Sequence, residues 1–77
     1  MNEKTAQFLF EGISADVVRY LTERNDMALS EAISTFHNSE TFARLEDLET
    51  GLYIESPAYV YDLLISELRY GRLMQEP

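Results

Sequence analysis

Wound as an α-helix, the segment from Thr5 to Arg24 brings Leu9, Phe10, Ile13, Val17, Tyr20 and Leu21 onto one stripe. The stripe keeps its phase across Gly12. The pattern therefore predicts one helix running through the glycine, at a cost of about 1 kcal/mol relative to alanine at that position. Phe8 points away from the stripe and reads as a cap over the bundle edge or as a partner contact. Asn25 and Asp26 are expected to end this helix, because Asn tolerates the left-handed backbone that closes helices. A second, short helix follows, with Leu29, Ala32, Ile33 and Phe36 turned inward and Ser30, Glu31, Ser34 and Thr35 turned out. It should stop near Asn38.

The run from Asn38 to Leu64 writes three structural instructions in series. Ser39 has the side chain of an N-cap, and Glu40 in the turn after it puts negative charge at the positive end of the helix dipole. Phe42 and Leu45 are the expected inward pair of this third, very short helix. Glu46 to Gly51 then reads as a turn, with Gly51 at a positive φ. Leu52, Tyr53 and Ile54 have too little polarity for a free loop and are expected as a short extended piece against the helices. Ser56 followed by Pro57 marks a new helix start, since a serine oxygen accepts from first-turn amides and proline at the first helical position loses no hydrogen bond.

The helix from Pro57 to about Tyr70 shows two apolar stripes on a helical wheel. Val60, Tyr61, Leu64, Ile65 and Leu68 make a broad main face. Tyr59, Leu63 and Tyr70 make a second, set apart from the first by Glu67. A single-core bundle rarely buries two faces of one helix, so either this helix lies at the centre of the fold or Tyr59, Leu63 and Tyr70 meet another chain. Gly71 suits the position just past the helix end, and residues 72–77 are expected as a mobile tail.

The whole reads as a single all-α domain over residues 1–77: a compact bundle of two longer and two short helices, with a short extended segment before the last helix. A hydrophobic content of 45% in 77 residues supplies one core and no room for a second domain. With 6 Lys and Arg against 14 Asp and Glu, the net charge is −8. The basic residues Lys4, Arg19, Arg24, Arg44, Arg69 and Arg72 are scattered, so nucleic acid and anionic membrane surfaces are poor partners and a basic protein is a suitable one. The chain has no cysteine, which rules out disulfides and thiolate chemistry and suits the cytoplasm. It shows neither a secretory h-region nor an apolar run long enough to span a membrane.

Chemistry is sparse. His37, the only histidine, sits near the end of a short helix, where the dipole favours a positive charge, and no nearby nucleophile and carboxylate complete a catalytic set. Glu46, Asp47, Glu49 and Glu55 fail the spacing of a calcium loop: counted from Asp47, Gly51 comes at the fifth place and Ala58 at the twelfth. The sequence thus assigns no catalytic, cofactor-binding or metal-ligating residue. Leu29 to Leu45 can be drawn as a helix-turn-helix, but only Arg44 in its second helix is basic and Glu40, Glu46 and Asp47 would meet phosphates.

The pattern of Val17 to Leu21, Leu29 to Phe36, Asn38 to Phe42 and above all Glu49 to Leu64 (ETGLYIESPAYVYDLL) resembles small bacterial helical proteins of the domain-of-unknown-function type, some of them encoded beside toxin-like genes. Leu48 departs from that pattern, which has proline in the turn. The resemblance implies a bacterial cytosolic setting and a regulatory or antitoxin-like role. The leading expectation is a non-enzymatic interaction domain that binds itself as a homodimer or a basic protein through Tyr59, Leu63 and Tyr70. A dimeric helix-turn-helix regulator and a small metal-dependent enzyme are the alternatives.

Overall fold

Three of the four described α-helices begin where a side chain just before them accepts from their first free amides; the second, which starts after Ala28, has no such cap. A computed structural model describes residues 2–71. Helix α1 spans Glu3–Arg24, capped by the Asn2 side chain, whose Oδ1 accepts from the Thr5 amide at 2.8 Å. Helices α2 (Leu29–His37) and α3 (Glu40–Glu46) follow, then two 3-10 turns, Leu48–Thr50 and Leu52–Ile54, and finally α4 (Pro57–Tyr70). The fold is an all-α bundle, with no strand among the described residues. The Cα radius of gyration is 11.9 Å, against about 11.5 Å expected for a globule of this length. No described helix is long and apolar enough to cross a membrane.

Helix α1 runs unbroken through Gly12, as its stripe requires. Its buried residues are Ala6, Ile13, Val17 and Leu21, while Phe8 is 74% exposed on the opposite side. The stop differs from expectation: Asp26, not Asn25, takes the left-handed backbone (φ 56°). Asn25 ends the helix at φ −113°, and its side chain accepts a hydrogen bond from the Tyr61 hydroxyl at 2.8 Å. Ser39 caps α3 through its Oγ, which accepts from the Phe42 amide at 3.0 Å and donates to the Phe36 carbonyl at 2.6 Å. One hydroxyl therefore ends α2 and begins α3. Ser56 caps α4 in the same way, accepting from the Tyr59 amide at 3.1 Å.

Three expectations are corrected. Leu52 to Ile54 is a 3-10 turn rather than an extended piece. Thr50 explains it: its hydroxyl lies 2.6 Å from the Arg44 carbonyl and 2.8 Å from that of Asp47, and accepts from the Leu52 amide at 3.2 Å. These bonds fold the chain back before Gly51 (φ 70°), so a second tight turn follows the first. On α2 only Ala32 and Phe36 are buried, whereas Leu29 and Ile33 stay exposed. A helix of nine residues packed on α1 and α3 covers too narrow an arc to hide all four. On α4 the buried residues are Val60, Tyr61, Leu63 and Leu64, and Leu68 is exposed. The expected mobile tail, 72–77, lies outside the described residues.

The core joins α1 (Ile13, Val17, Leu21), α2 (Ala32, Phe36), α3 (Leu45), the second 3-10 turn (Leu52) and α4 (Val60, Tyr61, Leu63, Leu64). Phe42 links the aromatic part, with ring centroids 5.5 Å from Phe10, 5.2 Å from Phe36 and 4.5 Å from His37. The edge-on and tilted contacts to the phenylalanines are favoured arrangements of ring quadrupoles.

Candidate functional site

The second stripe predicted on α4 is split by the fold. Tyr59 and Tyr70 are 41% and 58% exposed, but Leu63 between them is only 9% exposed and belongs to the core. Leu63 lies over a crevice shared with Arg44, Thr50 and Leu52. The physical reason is Glu67. In sequence it divides two apolar faces; in the fold its carboxylate turns to the start of α3 and accepts from the Glu40 amide at 2.8 Å, the Thr41 amide at 2.9 Å and the Thr41 hydroxyl at 2.8 Å. A satisfied carboxylate can sit inside a packed face, so Leu63 and the Val60–Leu64 row become one buried arc. Leu68, at the far edge of the expected face, is left outside.

Tyr59 and Tyr70 still share a flank of α4, since eleven residues bring a helix almost back to the same side. Their Cα atoms are separated by about 16 Å of helix rise, with Asp62 and Ser66 on the polar side between them. The surface here is two separate aromatic rings on an acidic helix rather than a continuous apolar strip.

At the junction of α1 and α4 a different cluster forms. Tyr20 and Tyr61 meet edge to face at 5.3 Å, and the Arg24 guanidinium lies 4.3 Å from the Tyr20 ring centroid and 5.3 Å from that of Tyr61. Arg19 adds a contact to Tyr20 at 5.0 Å while pairing with Asp16 at 3.2 Å and Glu23 at 3.3 Å. The hydrogen bond to Asp16, and then the charge of Glu23, hold Arg19 above its ordinary pKa range, so it stays charged at every working pH. This cluster ties the end of α1 to α4.

A groove of about 260 Å³ opens between the first turns of α1 and the end of α3. Phe10 and Leu48 supply apolar surface beside the buried Ala6 and Leu45, and Glu3, Gln7 and Glu46 complete the lining. It is a continuation of the buried stripe of α1. Along Ala6, Phe10, Ile13, Val17 and Leu21, alanine is the one small residue, and its shortness leaves the space.

His37 is placed by packing: it stacks on Phe42 at an interplanar angle of 20° in the last turn of α2, where the helix dipole suits a basic group. Asp47, a member of the acidic turn, has its Oδ1 taken by the Glu49 amide at 3.0 Å. Among the described residues no group of three or more His, Asp or Glu side chains is placed to hold a metal ion. The sequence pattern missed the pairing of Thr41 with Glu67 and of Asn25 with Tyr61, whose partners lie 26 and 36 residues apart with no local spacing to signal them, and the short-range bonds of Thr50 that fold the turn. No protein-family model matches the chain, and neither a curated protein nor a solved structure does so.

Proposed function

We propose that this chain is a non-enzymatic interaction domain that binds a basic protein partner in the cytoplasm. The observation that carries the reading is the exposure of Tyr59 and Tyr70 on one flank of α4 in a chain of net charge −8. Exposed tyrosines anchor interfaces at low entropic cost, and surrounding carboxylates speed the encounter with a cation-rich surface. The same charge works against a homodimer, because two copies of −8 repel before they touch. A regulatory or antitoxin-like role fits a module of this kind.

The helix-turn-helix reading has less support. In such motifs the first residues of the second helix approach bases, whereas the start of α3 is occupied by the Glu67 carboxylate. The test is affinity capture with mass-spectrometric identification of what binds, alongside sedimentation of the purified chain. The expected result is a monomer that retains a protein of high pI, with retention lost in Tyr59→Ala/Tyr70→Ala at unchanged helicity. A stable homodimer that loses its mass with the same pair of substitutions would replace the basic partner by a second copy. Retention of genomic DNA fragments, weakening steeply with salt, would overturn the reading.

A further inference from the structure

Resting on that reading, we infer that the groove at Ala6 seats an arginine side chain of the basic partner. Its volume of about 260 Å³ falls below the ~300–1,000 Å³ of pockets for whole small molecules. One long side chain suits it better. Its lining divides into two kinds of group: Phe10 and Leu48 offer apolar surface, and Glu3 and Glu46 offer carboxylates. Arginine has the matching division, a methylene stem that packs on apolar surface and a planar head that pairs with carboxylates and lies on aromatic faces. A purely apolar anchor would leave both carboxylates to be desolvated without a counter-charge, and a lysine would lack the planar contact with Phe10. Lys4, the nearest cation in sequence, projects about 100° round the helix from Glu3 and does not line the groove.

The experiment is an amide-resolved NMR titration of the full chain with acetylated hexaarginine amide, and with hexalysine and hexacitrulline as controls. The expected result is saturable shifts centred on Ala6, Phe10, Leu45 and Leu48, stronger for hexaarginine than for hexalysine and absent for hexacitrulline. Glu3→Gln/Glu46→Gln, two exposed positions that leave the fold untouched, should weaken hexaarginine about fivefold. Ala6→Leu, which fills the space, should remove the groove shifts while keeping a dispersed spectrum. Shifts spread evenly over the acidic surface and indifferent to both variants would overturn the assignment. The captured partner separates this inference from the broader reading: if it is retained equally by wild type and Glu3→Gln/Glu46→Gln, the groove falls and the interaction domain stands.

Discussion

Glu67 on α4 caps α3 through Thr41, its Oε1 accepting from both the Thr41 amide at 2.9 Å and the Thr41 hydroxyl at 2.8 Å. Thr41 is fully buried, so neither donor can turn to water if the carboxylate is removed. A charge-assisted bond of this kind adds to the local Ser39 cap by taking the Glu40 and Thr41 amides, which Ser39 does not reach. It also fixes the end of α4 against the start of α3.

Glu67→Ala is accordingly expected to cost about 2 kcal/mol, through lost charged hydrogen bonds and stranded buried donors. Glu67→Gln, which keeps one acceptor oxygen, should cost about half as much. Urea unfolding followed by circular dichroism measures both. A Glu67→Ala/Thr41→Val double-mutant cycle should return a coupling of about 1 kcal/mol or more. Independent effects of the two substitutions would show that Glu67 stabilises by another route.

The three α4 residues expected together should separate in mutagenesis. Leu63→Ala removes a core side chain and should cost about 2–3 kcal/mol, lowering Tm by roughly 10 °C or more. Tyr59→Ala and Tyr70→Ala should each stay within about 0.5 kcal/mol of wild type, because surface substitutions away from special features are nearly neutral. Thermal melts of the three single variants are sufficient. A neutral Leu63→Ala would return Leu63 to the surface and restore the continuous stripe.

Two glycines should respond oppositely to alanine. Gly12 is exposed within α1 and an added Cβ meets nothing within 4 Å, so Gly12→Ala should stabilise by about 1 kcal/mol through helix propensity and a less free unfolded chain. Gly51 is equally open but sits at φ +70°, so Gly51→Ala should destabilise by about 1 kcal/mol from backbone strain alone. Denaturant midpoints measured side by side decide the signs.

At the junction of α1 and α4, Tyr61→Phe removes only the hydroxyl that donates to Asn25 Oδ1 at 2.8 Å. The expected loss is about 0.5–1 kcal/mol, the net worth of one neutral hydrogen bond near the surface. Arg24→Gln should cost about as much again, by removing the cation from the faces of Tyr20 and Tyr61. Chemical denaturation of each variant tests the pair, and tyrosine near-ultraviolet dichroism should change with Arg24→Gln.

Features carried by neighbours in sequence were legible without coordinates. Ser39 and Ser56 announce helix starts because a cap reaches only two or three residues forward, and Gly51 and Gly71 announce turns because a positive φ is a property of one residue. The run of α1 through Gly12 was legible for the same reason: apolar residues three and four apart meet on one side of a single helix. Of the three residues of the second α4 stripe, Tyr59 and Tyr70 lie exposed and Leu63 is buried. A wheel shows which residues share a side, not which arc the neighbouring helices cover. The groove at Ala6 had no sequence signal, since it is lined by residues of α1 together with Leu45, Glu46 and Leu48, which lie about 40 residues further along the chain.

Local chemistry along the chain determined the helices, their caps and turns, the acidic charge and the lack of cysteine, because each depends on a few consecutive residues or on composition. Tertiary structure alone decided which way α4 is rolled, since that depends on where a carboxylate 26 residues from Thr41 finds its donors. A charge that divides two apolar stripes in an isolated helix ceases to divide them once the amides at the start of α3 satisfy it.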